Sequence, residues 1–142
     1  MDADILYIED NEDYIEFVKN AFRKIDSKLS FHVIMDGTEA LRLFEQNLSP
    51  RSLPRLILLD INLPGCDGLE LLARLRKRAA TRYIPVVMFS TSENPDDMMQ
   101  AFDAGANAYL VKPVGLTSLT ETLSSVINFW LNHNRGLDSC AA

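Results

Sequence analysis

The sequence predicts an α/β fold in which five β-strands alternate with five α-helices. Five short apolar runs recur along the 142 residues, and a segment with helical spacing of apolar residues follows each of them. This alternation indicates βαβ units and a parallel sheet. The predicted strands are ILYI (5–8), FHVI (31–34), LILL (56–59), PVVMFS (85–90) and AYLV (108–111).

The five strands differ in their apolar patterns. The first, third and fourth are nearly continuous in apolar residues, which is typical of parallel strands covered on both faces. The second contains His32, which favours a position at the edge of the sheet.

Helices are predicted between the strands, and their ends carry recognisable signals. Acidic residues open the first helix and basic residues close it, which suits the helix dipole. The fourth opens with NPDD and closes at Gly105, a typical start and stop. Residues 49–55 contain two prolines and are predicted to be a loop. The predicted helices are 11–25, 37–48, 69–79, 94–105 and 116–133.

Composition and charge narrow the class of protein. With 47% hydrophobic and 24% charged residues, the chain is expected to fold as one domain over 1–142, with a core of about 3–133 and a flexible tail at 134–142. The net charge of -6 argues against nucleic-acid binding. No apolar run approaches the ~20 residues of a membrane span. We expect a cytoplasmic protein in which Cys66 and Cys140 are free thiols.

Polar and charged residues follow four of the five predicted strands. Glu9 and Asp10 follow the first, Asp60 the third and Lys112 the fifth, while Ser90 ends the fourth. Each residue alone could be a helix cap, a turn residue or a solvated side chain. In open α/β sheets, however, ligands bind beyond the carboxyl ends of the strands, so these residues are expected to converge on one site.

The chemistry of this set favours phosphoryl transfer. Clustered carboxylates repel one another unless a cation compensates them, and Mg²⁺ (or Mn²⁺) is a suitable hard cation. Lys112 adds a positive charge suited to a phosphoryl oxygen. A carboxylate can itself accept a phosphoryl group, which makes Asp60, rigidly placed at the end of a buried strand, the candidate acceptor.

The motifs together resemble the receiver domain of two-component response regulators. The resemblance runs through ILYIEDNED, LILLDINLPGCDGLELL, IPVVMFSTSE and AGANAYLVKP, and so covers nearly the whole chain. It implies a flavodoxin-like, doubly wound parallel sheet with strand order 2-1-3-4-5. It also implies that Asp60 is the phosphoacceptor, and that Glu9, Asp10, Asp60 and the backbone carbonyl of Asn62 hold the metal.

The resemblance assigns roles to residues of the last two strands as well. Ser90 and Lys112 would contact the phosphoryl group, Tyr109 would be the aromatic that swings inward on activation, and the peptide between Lys112 and Pro113 would be cis. A half-buried strand tyrosine is the alternative interpretation of Tyr109. Thr91 stands where many receivers have Ala or Gly, so access to the acceptor is expected to be narrower.

Softer features resemble the small stand-alone regulators that pair with phytochrome-type histidine kinases. These features are NLSPRSLPR, FSTSEN and INFWL. The expected function is a phosphorylation-dependent switch that takes a phosphoryl group from a sensor kinase, not a classical enzyme. Pairing with an unrelated kinase and a receiver that is not phosphorylated remain alternatives. An Asp-dependent phosphohydrolase is disfavoured because Asn62 cannot act as its general acid, and a flavin module because the acidic EDNED would repel a phosphate.

Two surfaces are predicted to bind partners. In the first helix, Tyr14, Phe17 and Ala21 form a second apolar stripe beside the core stripe, which suggests kinase docking or a wider core contact. In the last helix, a core stripe at helical spacing is formed by Leu116, Leu119, Leu123, Val126, Ile127 and Trp130. Phe129 and Leu131 lie off that stripe, so the end that carries Phe129 and Trp130 is apolar over most of its circumference and is predicted to project from the domain. That end suggests a homodimer through helix 4, strand 5 and helix 5, or a segment that folds back over its own core.

Overall fold

The computed structural model describes residues 3–46 and 49–136, in which five parallel strands form one sheet of order β2-β1-β3-β4-β5. The predicted α/β class and strand order are therefore confirmed, and β2 lies at an edge as expected. The strands are β1 Ile5–Ile8, β2 Phe31–Ile34, β3 Leu56–Leu59, β4 Val86–Ser90 and β5 Ala108–Val111. The helices are α1 Glu12–Ile25, α2 Gly37–Glu45, α3 Gly68–Lys77, α4 Pro95–Ala104 and α5 Leu116–Ile127.

Side-chain caps set the start of four helices. Asn11 accepts a hydrogen bond from the backbone N–H of Tyr14, and Asp36, Asp67 and Asn94 cap α2, α3 and α4 in the same way. These caps satisfy backbone donors that the first helical turn leaves unpaired. Gly105 ends α4 with a left-handed φ of 108°, as its position predicted.

Two hydrophobic layers enclose the sheet. One face packs against α1 and α5 through fully buried residues such as Phe22 and Leu123. The other face packs against α2, α3 and α4 through residues such as Phe44 and Leu72. The central strands β1, β3 and β4 are buried along their whole length. Such burial explains their continuous apolar sequences and holds their carboxyl ends in fixed positions.

Several predicted boundaries were wrong. Helix 2 ends at Glu45, three residues before the predicted end, and residues 47–48 lie outside the described part. Helix 3 runs from 68 to 77 instead of 69–79. The proline-bearing loop contains a 3₁₀ turn, Pro50–Ser52, because a proline can open a helical turn.

The end of the last helix also differs from the prediction. Residues Asn128–His133 form a π-helical turn, which widens the helix and changes the faces of the following side chains. Leu131 is consequently buried at 7% exposure, although regular helical spacing placed it off the core stripe, whereas Leu116, assigned to that stripe, is 53% exposed. The carbonyl of Leu131 accepts a hydrogen bond from Arg55, so this end is anchored to the body of the domain instead of projecting from it.

Parts of the tail lie outside the described residues. Of the predicted flexible tail 134–142, the structure describes 134–136, where the Asn134 N–H donates to the Phe129 carbonyl. Cys140 lies outside the described residues, and Cys66 is a buried free thiol. No helix within 3–46 and 49–136 is long and apolar enough to cross a bilayer.

Candidate functional site

The carboxyl ends of β1 and β3 bring three acidic side chains together. Carboxylate oxygens of Glu9, Asp10 and Asp60 all lie within 4.8 Å of one another. The backbone fixes this arrangement, because Asp60 donates its N–H to the Ile8 carbonyl and so extends the pairing of β3 with β1 by one residue. Glu9 and Asp60 are buried, whereas Asp10 is exposed at the mouth of the cluster.

Lys112 reaches this cluster from the end of β5. Its ammonium forms an ion pair with Glu9 and lies 3.5 Å from Oδ2 of Asp60. The lysine side chain is only 6% exposed, so its charge acts in a poorly solvated environment. A backbone hydrogen bond of 2.7 Å from Lys112 to the Ser90 carbonyl joins the ends of β4 and β5. The site therefore contains one buried cation between two buried carboxylates.

The protonation of Asp60 reflects these surroundings. Burial raises the pKa of the Asp60 carboxyl from 3.8 to about 7, and the Glu9 carboxylate adds to the rise. Lys112 and the backbone N–H of Ile61, which donates to Asp60 Oδ1 at 2.8 Å, oppose it. The positive charges present are thus insufficient to compensate both acids, because like charges packed together disfavour ionisation. A divalent cation would supply the missing compensation.

Glu9 has more partners than the sequence indicated. Its carboxylate accepts hydrogen bonds from the Tyr7 hydroxyl at 3.3 Å and from the N–H groups of Asp10 at 3.1 Å and Asn11 at 3.4 Å. Tyr7 was not predicted as a site residue. Because side chains two apart in a strand share one face, the spacing of Tyr7 and Glu9 could have indicated the contact.

The loop after Asp60 is held by two close backbone approaches. A Cβ on Gly68 would lie 2.0 Å from the Asp60 carbonyl, and one on Gly37 would lie 1.6 Å from the Cys66 carbonyl. Both positions therefore exclude any side chain. The N–H of Gly68 also donates to the Ile61 carbonyl at 2.8 Å, which closes the loop over the carboxyl end of β3.

Ser90 and Tyr109 meet through the loop that follows β4. The Ser90 hydroxyl accepts a hydrogen bond from the Ser92 N–H at 3.1 Å, and the Tyr109 hydroxyl donates to the Ser92 carbonyl at 2.9 Å. Ser90 is fully buried and Tyr109 is half-buried. Ser92 was not predicted, yet it connects these two side chains and, through its own hydroxyl, contacts Asp97 of α4 at 2.5 Å.

Three expectations about neighbouring residues need correction or remain untested. The Lys112–Pro113 peptide is trans, since no peptide bond in the described chain is cis. The trans form is intrinsically preferred at X–Pro bonds by ≈ 0.5–1 kcal/mol, and the contacts of Lys112 form with it. Asn62 is exposed beside the cluster, and its carbonyl as a metal ligand stays a prediction. Thr91 is exposed, and narrower access to Asp60 stays a prediction.

The predicted docking stripe on α1 does not lie on one exposed face. Phe17 is 44% exposed, but Ala21 is 3% exposed and belongs to the core. Tyr14 is half-buried, with its ring edge-on to Phe89 at 5.9 Å, and burial raises its pKa to about 12. The hydrophobic side that α1 turns toward the sheet is wide enough to include Ala21. Helical spacing alone therefore placed Ala21 on the wrong stripe.

The two predicted dimer residues differ in exposure. Phe129 is 51% exposed, whereas Trp130 packs against the core beneath α1 and α5. Their rings meet edge-to-face at 4.9 Å. Regular helical spacing already placed Trp130 on the core stripe, and the structure keeps it there. Phe129, predicted to lie off that stripe, presents the exposed ring.

Several known proteins are similar to this chain in sequence. The family model described as "Response regulator receiver domain" matches residues 5–124. The protein named "Probable methanogenesis regulatory protein FilR2" of Methanothrix harundinacea is 37% identical over 134 residues, which cover 92% of this chain and 85% of FilR2. Response regulator Rcp1 of Synechocystis sp. is 34% identical over 131 residues, which cover 89% of this chain and 88% of Rcp1.

Solved structures of response regulators have a similar fold. The crystal structure of the phosphorylated cyanobacterial phytochrome response regulator RcpA superposes with a TM-score of 0.84 at 33% identity, covering 96% of this chain and 99% of RcpA. The Mn(2+)-bound form of Rcp1 gives a TM-score of 0.80 at 32% identity, covering 93% of this chain and 96% of Rcp1. The strand order, the acidic cluster and the match over 5–124 lead to one conclusion: this chain belongs to the response regulator receiver domain family of two-component signalling.

Proposed function

We propose that this protein is a signalling switch that accepts a phosphoryl group on Asp60 from a sensor histidine kinase. The observation that carries the proposal is the position of Asp60, which lies between Glu9 and the Lys112 ammonium, 3.5 Å from the latter, at a rigid strand end. A phosphoryl group on Asp60 would bring its oxygens next to a buried ammonium. Positioning and charge neutralisation of this kind are the main contributions of a protein to phosphoryl transfer.

A divalent metal fits the same residues. Glu9, Asp10 and Asp60 offer hard oxygen ligands, and burial together with the neighbouring Glu9 carboxylate raises the pKa of Asp60, which is in keeping with a site short of positive charge. The related regulator Rcp1 has been crystallised in a Mn(2+)-bound form. Bound Mg²⁺ or Mn²⁺ would supply charge neutralisation for the phosphoryl oxygens. We propose these three side chains as its ligands, together with the Asn62 carbonyl.

The direct test is phosphotransfer from a radiolabelled, phosphorylated histidine kinase. We expect the wild-type protein to acquire an acid-stable, alkali-labile label in Mg²⁺, and Asp60→Asn to acquire none. Asp67→Asn offers a matched control, because Asp67 is an exposed helix cap in the same loop. Labelling of the Asp60→Asn protein at the wild-type level would refute the assignment.

The cognate kinase is proposed to be of the phytochrome type. Support comes from the similarity to RcpA, a cyanobacterial phytochrome response regulator, over 96% of this chain. FilR2, whose name refers to methanogenesis, is more similar in sequence, so an unrelated sensor kinase is the second candidate. Phosphotransfer profiling against all histidine kinases of the source genome distinguishes them: a phytochrome-type kinase should transfer fastest. On this proposal the protein acts in the cytoplasm, beside the kinase domain.

Two surfaces are proposed to bind proteins. Phe17, exposed on α1 near the acidic site, would contact the kinase, with Tyr14 forming the inner wall beside it. The face built from α4, β5 and α5 would form a homodimer. Exposed apolar side chains on and beside that face support this use, since large exposed patches mark interfaces. They are Met99, Phe102, Val114, Leu116 and Phe129.

The signal between site and surface is proposed to pass through Ser90 and Tyr109. A phosphoryl oxygen on Asp60 would attract the Ser90 hydroxyl, which now accepts from the Ser92 N–H. The Ser92 carbonyl also accepts a hydrogen bond from the Tyr109 hydroxyl, and the Ser92 hydroxyl donates one to Asp97 on α4. Movement of the Ser90 hydroxyl would thus shift the population of the loop and of the Tyr109 ring together.

A further inference from the structure

The Lys112 ammonium lies over the face of an aromatic ring. Its nitrogen is 4.6 Å from the centroid of the Tyr14 ring, within the range of a cation–π interaction. The ammonium also contacts the carboxylates of Glu9 and Asp60. Three groups from three elements therefore surround one charge: the end of β1, the end of β3 and the first turns of α1.

Packing holds the Tyr14 ring in place. Its edge contacts are with Phe89 at 5.9 Å and with Phe17 at 6.4 Å. The hydroxyl oxygen is buried and has no hydrogen-bond partner within the described residues. A buried hydroxyl without a partner contributes nothing to holding the side chain and is itself unfavourable. The ring, not the hydroxyl, is consequently the part of Tyr14 that acts here.

A lysine at this site needs such support. Lysine is a point charge on a flexible four-carbon stem, and Glu9 and Asp60 pull its ammonium in different directions. An aromatic face attracts the charge without accepting a conventional N–H hydrogen bond, so the three donors remain available for carboxylate or phosphoryl oxygens. A third carboxylate in the same place would instead compete for those donors.

We infer that Tyr14 is a positioning residue that holds the Lys112 ammonium between Glu9 and Asp60 by presenting its ring face. The inference rests on the proposed function of Lys112 as the charge partner of the phosphoryl group. It gives Tyr14 a task distinct from kinase docking, for which the exposed Phe17 is better placed. Two substitutions distinguish the role of the ring from that of the hydroxyl: Tyr14→Phe keeps the interacting ring face, and Tyr14→Leu removes it.

Nuclear magnetic resonance of the lysine side chains tests the geometry without any phosphorylation. The chain has five lysines, so ¹³C-lysine labelling gives a simple spectrum, and Lys112→Arg identifies the Lys112 signal. Ring current should shift the Lys112 ε-CH₂ protons upfield of the other lysines. We expect Tyr14→Phe to retain the shift and Tyr14→Leu to abolish it, while Tyr83→Leu, which removes an exposed ring outside the site, leaves it intact. A wild-type Lys112 signal at the position of the exposed lysines overturns the inference, even if no variant folds.

Binding of beryllofluoride, a phosphoryl mimic, in Mg²⁺ tests the consequence. We expect about a fivefold loss of affinity for Tyr14→Leu, and less than a twofold change for Tyr14→Phe and for Tyr83→Leu. An unchanged affinity of folded Tyr14→Leu contradicts the positioning role. Failure of the wild-type protein to bind beryllofluoride would instead contradict the proposed function, and the ring-current result would still decide where Tyr14 holds Lys112.

Discussion

Lys112 Nζ lies 3.5 Å from Oδ2 of Asp60, yet the same ammonium also forms an ion pair with Glu9. One buried cation therefore serves two buried carboxylates, and the pKa of Asp60 is raised to about 7. Because acidic groups outnumber basic ones here, we expect the site to respond to protons, divalent cations and phosphoryl groups.

Asp60 should make the metal-free protein less stable as the pH rises. Its pKa is higher in the folded state, about 7, than the ordinary 3.8, so the folded state binds more protons between these values. The free energy of unfolding should therefore fall from about pH 4 to pH 7. Asp60→Asn removes this term, and we expect it to stabilise the protein by about 1 to 3 kcal/mol at pH 8 and little at pH 4.

Urea unfolding in EDTA at the two pH values measures this effect. Asp103→Asn is the matched control, because Asp103 is exposed on α4 away from the cluster. Equal stabilities of wild type and Asp60→Asn at pH 8, or a gain that is larger at pH 4, would show that the carboxyl is not held in its neutral form.

Mg²⁺ should stabilise the folded protein through Asp10. The ion binds oxygens that only the folded chain brings together, so its binding free energy adds to stability, by ≈ 2.7 kcal/mol at 100 times its dissociation constant. We expect Mg²⁺ to raise Tm at pH 8 and Asp10→Asn to remove most of the rise. Asp13→Asn, an exposed acid in the first turn of α1, should behave like wild type. A Tm that is indifferent to Mg²⁺ speaks against the metal site.

Phe17 should affect transfer from a kinase but not the chemistry at Asp60. The side chain is 44% exposed, so Phe17→Ala should preserve the fold while removing an aromatic contact. We expect transfer from the kinase to slow about fivefold or more, as for a central interface residue, with beryllofluoride affinity unchanged within twofold. Phe102→Ala, which removes an exposed ring on α4, is the control and should transfer normally. Normal transfer to Phe17→Ala removes this residue from the docking surface.

Ser90 should couple phosphorylation to the Tyr109 ring. The chain has four tyrosines, so 3-fluorotyrosine labelling gives few ¹⁹F resonances, and Tyr109→Phe identifies the relevant one. We expect beryllofluoride to shift this resonance in the wild type. In Ser90→Ala the shift should be absent or much smaller, because the hydroxyl that responds to the phosphoryl group is missing. A Tyr109 resonance that does not move on beryllofluoride binding contradicts the switch.

Phe129 should support self-association, and it is a better site for a disrupting substitution than Trp130. Phe129 is 51% exposed, but Trp130 packs against the core, so a charge there would destabilise the fold. We expect light scattering to show a dimer for the wild type and a folded monomer for Phe129→Glu, with and without beryllofluoride. Tyr83→Glu, at an exposed aromatic outside the α4–β5–α5 face, should remain dimeric. A wild-type monomer at high micromolar concentration contradicts the dimer.

The sequence by itself determined the fold and the cluster of acids. Short continuous apolar runs such as LILL, alternating with helical segments, are typical of strands buried on both faces, and parallel strands bring their carboxyl ends to one edge. The residues that follow those runs were therefore bound to meet. This is why Asp60, Glu9 and Asp10 could be assigned to one site from their positions alone.

Tertiary structure decided what lies on the remaining sides of that site and at the end of α5. Helical spacing gives directions around one helix but not the element that a side chain meets, so it could not place the Tyr14 ring under Lys112 or Ala21 in the core. Nor does a regular period anticipate the π-helical turn at Asn128–His133. That turn brings Leu131 into the core and its carbonyl to Arg55, and these contacts exist only once the chain has folded.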